Sequence, residues 1–359
     1  MALCLGFWGH TFAWAYIHSS DLLGSRVGRH VSKHPKPCAL FFSALSFQCQ
    51  HLHPSPVGTP SGPMKKHLPL EDRWIGRWMA PLLRRTTQSQ RRAFGHDCAV
   101  LSPLSRKNDL VLKTDSVVEG IHFSSSTPAE LAGRKALARP LSDLAAAGAL
   151  PRAALITVGC PGPSHARRVQ KAYRGLSRLA SQFHLDVVGG ETVRTRQLLI
   201  CVTLLGEVAR GITPGRSGAK PGDRLFVTGN LGGSWPRRHL TFTPRLKEGQ
   251  WLARKRMATA MMDLSDGLGA DLPRMARASG VGFQIEPDKL PLAPKSSIRS
   301  AFTSGEDYEL LLAVSPRQVP HLKKKWPFAT PLTEIGFILP HAKGFRTGGL
   351  PLRGYDHFR

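Results

Sequence analysis

The chain has 359 residues, room for two domains of ordinary size, and its composition is globular at 41% hydrophobic and 21% charged, with no apolar run long enough to span a membrane. Fifty Lys and Arg face 24 Asp and Glu, a formal charge of +26 that attracts polyanions. The basic residues form no arm, stripe or aromatic-interleaved patch. A solvated cationic surface on an enzyme of polyanionic substrates is therefore preferred over an RNA- or DNA-binding module, and no specific nucleic-acid partner is assigned.

Residues 1–63 hold three of the six cysteines and six of the 15 histidines but one acid, Asp21, and show no helical or alternating period. A Pro/Gly/Ser stretch, Pro54 to Pro63, closes this extension. It is expected to be a disordered tail or upstream sequence that is not native; a targeting arm is the alternative. No Lys or Arg precedes its apolar stretch, so a secretory signal is not expected. Cys4, Cys38, Cys49, Cys98, Cys160 and Cys201 show no CxxC or zinc spacing. Reduced thiols in a cytoplasm are expected, with no membrane partner.

Met64 opens a basic segment followed by a helix at Glu71–Leu83. Beyond residue 97, apolar runs at Leu110–Lys113, Ala154–Gly159, Leu198–Leu205, Arg224–Thr228 and Tyr308–Val314 read as strands alternating with helical stretches. The clearest helix is His165–Phe183, where Val169, Tyr173, Leu176, Ala180 and Phe183 recur at helical spacing. Its Arg167, Arg168, Lys171, Arg174 and Arg178 lie outside that stripe and read as a solvated face. Gly211–Asp223, rich in Gly and Pro, reads as a linker between domains of residues 64–210 and 211–359.

Acids are scarce here, so their placement is informative. Several stand beside small residues: Gly95-His96-Asp97, Thr114-Asp115-Ser116, Leu141-Ser142-Asp143, Gly189-Gly190-Glu191-Thr192, Asp263-Leu264-Ser265-Asp266-Gly267 and Gly305-Glu306-Asp307-Tyr308. Magnesium takes hard oxygen ligands and keeps waters and phosphates in its shell, which suits isolated carboxylates where backbone can approach a phosphate. Singly, each cluster reads as a helix cap or Asx turn; together they point to a magnesium and phosphate site. There is no GxxxxGK[ST] loop, HRD or DFG triplet, or GxSxG elbow, so P-loop, protein-kinase and α/β-hydrolase chemistry are set aside.

In this order and spacing the clusters resemble the thiamine-monophosphate kinase family of the aminoimidazole ribonucleotide synthetase-like superfamily. The resemblance is carried by GHDCAV (95–100), KTDSVVEGIHF (113–123), KALARPLSDLAAAGALP (135–151), VVGGET (187–192), RSGAKPGDRLFVTGNLGGS (216–234), MDLSDGLGADL (262–272), SGEDYEL (304–310) and GYDHF (354–358). It implies an α+β, two-domain aminoimidazole ribonucleotide synthetase-like fold, with the N-terminal sheet pairing across a homodimer and a C-terminal α+β domain covering it. It also implies ATP as co-substrate, several Mg2+ ions, and transfer of the γ-phosphoryl directly onto thiamine phosphate to give thiamine diphosphate. No residue is expected to form a covalent intermediate.

Carried over by position, Asp97, Asp115, Asp143, Glu191, Asp263 and Asp266 match metal-binding acids. Thr114 matches a hydroxyl and backbone metal ligand, and Lys113 a backbone one. Gly190, Glu191, Arg216 and Ser265 match ATP contacts; His122, Glu306 and Tyr355 match substrate contacts. The chain departs from the family at His96, where an Asp is usual, at Glu191 for Asp, at Pro140 for Asn, and at Ser304 for Gly. Pro140 inside a helix costs roughly 3 kcal/mol, so a kink or restart is expected there. The alternatives are another ATP-using member of the superfamily and a catalytically weakened homologue.

Overall fold

The computed structural model describes residues 97–357 apart from 102–104 and 106, all within one compact unit. The extension at 1–63, the helix expected at 71–83 and His96 lie outside the described residues. Strands β1 (Ala99–Leu101), β2 (Asn108–Val118), β3 (Leu150–Cys160), β4 (Asp186–Arg194) and β5 (Leu199–Ala209) form a mixed sheet in the order β1-β2-β5-β3-β4. Only β3 and β4 run parallel. The run expected at Leu110–Lys113 is the middle of a longer strand, because β2 pairs with β5 from Asn108↔Ala209 to Val118↔Leu199. Alternation assigns the faces: Ile200, Val202, Leu204 and Val208 are buried, while Cys201, Thr203 and Leu205 between them face the open side.

The buried face is covered by α1 (Ala129–Ala146) and α2 (Ala166–Gln182). Helix α2 falls where its period places it, with Leu176 and Ala180 buried and Val169, Tyr173 and Phe183 packed beside them. Of its basic residues, Arg168 pairs with Glu119 and Arg178 with Glu130. Helix α1 corrects the expectation of a restart at Pro140, since it runs unbroken through that residue. Most of its side chains are buried against neighbouring elements, and packing of that extent outweighs the one hydrogen bond that proline removes.

The two helices touch backbone to backbone. A Cβ at Gly175 would lie 1.8 Å from the carbonyl oxygen of Glu130, and one at Gly133 would lie 1.9 Å from that of Ala172. Gly175→Ala is therefore expected to lower stability by about 1–3 kcal/mol in urea unfolding, whereas Ser177→Ala on the exposed side should change it by less than about 0.5 kcal/mol. Equal midpoints for the two variants would show that the contact tolerates a methyl group.

No helix or strand forms at 212–223. Strand β6 (Arg224–Thr228) follows, then short helices α3 (Arg238–Thr241) and α4 (Leu246–Arg254), then β7 (Ala260–Asp263), α5 (Leu268–Ser279), β8 (Gly282–Ile285), α6 (Ile298–Thr303), β9 (Leu310–Val314), α7 (Val319–Lys325), β10 (Leu332–Leu339) and β11 (Phe345–Arg346). These strands form a second sheet in the order β11-β8-β10-β6-β9-β7. Phe226, Met261, Leu310, Leu312 and Val314 on one face join the core that contains α1. Leu225, Val227, Met262, Leu311 and Ala313 on the other pack with α5 and Phe302 of α6. Helix α1 thus shares a core with both sheets, and the site is built along it. Among the described residues no helix is long and apolar enough to cross a membrane.

Candidate active site

Strand alternation on β2 separates three successive side chains. Thr114 turns its hydroxyl to the open face, 3.0 Å from Thr203 Oγ1, whereas Lys113 and Asp115 turn toward α1. On α1, Lys135, Arg139 and Asp143 recur every fourth residue and share one face. Charges from the two elements interleave: Lys113 Nζ is 2.9 Å from Asp143 Oδ1, and Arg139 is 3.3 Å from Asp115 Oδ1.

Asp143 meets Asp97, just before β1, and Asp263, at the end of β7. All three are buried, and one carboxylate oxygen from each lies within 4.8 Å of the others. Arg216 donates to Asp97 Oδ1 from Nε at 2.9 Å and from a terminal nitrogen at 2.5 Å, and Ser142 Oγ donates to Asp263 Oδ2 at 2.7 Å. Burial pushes the Asp143 carboxyl well above its ordinary range; Asp263, Asp115 and Asp97 push the same way against Lys113. Burial and the charge of Asp97 raise Asp263 to about 7, with the Ser142 hydrogen bond opposing. Burial pulls the Lys113 ammonium down, but Asp143 and Asp115 outweigh it and keep it charged. Three desolvated hard-oxygen donors, only partly offset by Lys113 and Arg216, fit a magnesium ion.

The loop after β7 is folded around Asp271, whose Oδ2 accepts the backbone N–H of Ser265 and of Asp266, both at 3.0 Å. Asp266 is ion-paired with Arg274 and stands outside the triad. Gly190 and Glu191 lie on β4, in register with Ile156 and Thr157 of β3. Glu191 is exposed and accepts the Thr192 N–H at 3.2 Å. Strand β4 is at the opposite edge of the sheet from β1, so the fold does not bring Glu191 to the triad within one chain.

The residues matched to substrate contacts are linked to one another. His122 Nδ1 accepts the Val118 N–H at 3.1 Å. Burial, with Arg139, His357 and Lys135, lowers the imidazole to about 4, so it is neutral near pH 7 and carries its proton on Nε2 as a donor. His122 lies 5.2 Å from the ring of His357, which Tyr355 meets edge-on at 4.8 Å. The Tyr355 N–H donates to the Asp266 carbonyl at 2.9 Å, and a Cβ at Gly354 would fall 2.0 Å from that oxygen. Glycine thus lets the C-terminal segment dock on the loop after β7. Glu306 donates its N–H to Ser265 O at 2.7 Å, and its carboxylate meets Lys135 and His239. Burial would raise the Glu306 carboxyl, but hydrogen bonds from His239 and the charge of Lys135 hold it below its usual range.

Sequence reading missed Lys135, Arg139, Ser142, His239 and Asp271. The i, i+4 spacing of Lys135, Arg139 and Asp143 was visible, as was Asp271 inside MDLSDGLGADL. His239 gave no signal.

Residues 95–208 match the AIR synthase related protein N-terminal domain, and residues 236–336 match the AIR synthase related protein C-terminal domain. Fold and acid cluster thus define an AIR synthase-related protein. The Aquifex aeolicus thiamine-monophosphate kinase is 33% identical over 309 residues, covering 77% of this chain and 96% of its own length. That of Escherichia coli is 34% identical over 306 residues, covering 74% and 91%. A solved structure described as AaThiL complexed with AMPPCP and TMP is 32% identical, with a TM-score of 0.68 over 80% of this chain and 98% of that one. The chain belongs to the thiamine-monophosphate kinase family.

Proposed function

We propose that this enzyme transfers the γ-phosphoryl group of ATP directly onto the phosphate of thiamine phosphate, giving thiamine diphosphate. The observation that carries the reading is the buried convergence of Asp97, Asp143 and Asp263, with Glu306 and Tyr355 hydrogen-bonded to the loop that follows Asp263. Magnesium, when bound, offsets the charge of two approaching polyanions. Asp97, Asp143 and Asp263 would hold it, with Asp115, Asp266 and Glu191 as further acids and the backbone of Lys113 and Thr114 beside them. Arg216 offers a guanidinium fork suited to nucleotide phosphates, and Ser265 and Gly190 offer small-residue backbone. His122 donates from Nε2, Glu306 accepts, and Tyr355 presents a ring for stacking.

Residues 64–210 are proposed as the dimerisation domain and 211–359 as the second domain of a cytoplasmic homodimer. Leu150, Leu155 and Leu205 stand exposed on the sheet face turned away from α1 and α2, and pairing of two such faces would cover them. Pairing would also give Gly190 and Glu191, remote from the triad in one chain, a route to the partner's nucleotide.

Offering thiamine, thiamine phosphate and aminoimidazole precursors in parallel with ATP and magnesium tests the reading. Thiamine phosphate alone should be consumed. Turnover of an aminoimidazole precursor would instead place the chain with the purine-pathway members of its superfamily.

A further inference from the structure

Three ionisable side chains outside the acid cluster meet beside His122. The ammonium of Lys135, fully buried, lies 2.7 Å from the carbonyl oxygen of His122, 2.8 Å from Nδ1 of His239 and 2.5 Å from Oε2 of Glu306. His239 closes the triangle, with Nδ1 2.8 Å from the same Oε2 and Nε2 2.9 Å from the carbonyl oxygen of Pro236. A carbonyl only accepts, so Nε2 bears a proton. The Lys135 ammonium and His239 Nδ1 both approach Oε2, so that oxygen is held from two sides.

The triangle is braced from behind. Trp235 stacks on His239 at 3.8 Å with the rings 25° apart, and the Lys135 ammonium lies 5.5 Å from the Trp235 ring centre. Glu306 also sits at φ +70°, a left-handed backbone that a non-glycine residue adopts only when its surroundings impose it. Among the described residues, the hydrogen bonds and ion pairs of its carboxylate all fall on Oε2. Oε1 is left for a ligand, on a side chain that keeps 15% exposure.

Resting on the reading that Glu306 contacts thiamine phosphate, we propose that Lys135 and His239 are positioning residues that anchor Oε2 and so present Oε1 to the amino group of the substrate's pyrimidine. Thiamine phosphate has few neutral N–H donors; that amino group is the one a fixed carboxylate oxygen selects. A site built around such a hydrogen bond rejects an analogue lacking the donor.

The test compares kcat/KM for thiamine phosphate with that for its deamino analogue, together with the KM for ATP. The enzymes are wild type, Glu306→Gln, Lys135→Met, His239→Phe and the Lys135→Met/Glu306→Gln double variant. Lys135→Met and Glu306→Gln should each cut the preference for the amino compound by about 10-fold while the ATP KM stays within about 2-fold, and the double variant should be no worse than Glu306→Gln alone. A preference lost in Glu306→Gln but kept in Lys135→Met would overturn the positioning role and leave the substrate contact standing. A preference kept in Glu306→Gln would sink the contact and the inference together. If Lys135→Met does not fold, His239→Phe decides: it retains the stack on Trp235 and should cut the preference by about 3-fold, and an unchanged preference overturns the proposal.

Discussion

Asp143→Asn is expected to lower kcat for thiamine diphosphate formation by about 10²-fold or more at saturating magnesium, with the folded state retained. The carboxylate is buried at the meeting point of α1, β1 and β7, within reach of Asp97 and Asp263. Burial raises its pKa, with Asp263, Asp115 and Asp97 adding to the shift against Lys113, so it costs the apo protein stability and is worth keeping only for what it binds. Removing one preorganised charge from a phosphoryl-transfer site deprives the transition state of its most specific stabilisation. The amide keeps the shape and still accepts from Lys113, so melting temperature in EDTA should not fall sharply. Near-normal turnover in this variant would show that Asp143 holds no metal.

Raising the pH in EDTA is expected to destabilise the protein, and magnesium to reverse the trend. In the unfolded chain Asp263 ionises near 3.8, whereas in the fold burial and Asp97 raise it to about 7. Between these values the folded chain holds a proton that the unfolded chain has released. The group's contribution to stability is thus full below 3.8 and lost as pH rises through about 7. Asp143 shifts in the same direction. A cation that binds the ionised acids stabilises most where they are fully ionised. Between about pH 5.5 and 8 the melting temperature in EDTA should fall by roughly 5–10 °C relative to Asp263→Asn, and magnesium should raise it most at the upper end. Parallel curves with and without magnesium would mean that these carboxylates bind no ion.

Local pattern made some elements legible and tertiary pairing hid others. Helix α2 was readable from its 3.6-residue stripe, and β6 from its apolar run at Arg224–Thr228. Strand β4 was not, because its nine residues are all exposed and show no alternation; pairing with β3 alone makes it a strand. Pro140 pointed to a broken helix because local propensity cannot weigh the packing that carries α1 through it. In the site, the triad acids could be named from their motifs, but their convergence depends on β7 lying beside α1, about 120 residues away in the chain. Asp115 and Asp266 belong to the same motifs yet are taken up by Arg139 and Arg274. His239 was invisible for a similar reason, since its meaning comes only from Lys135 and Glu306 across the fold.

The most direct measurement follows the label from γ-labelled ATP in a single turnover with thiamine phosphate and magnesium. Label should pass to the terminal phosphate of thiamine diphosphate, with one ADP formed per product and none of the label retained on the protein. Transfer to thiamine, label held on the protein, or ADP release without thiamine diphosphate would contradict direct phosphoryl transfer at the Asp97–Asp143–Asp263 site.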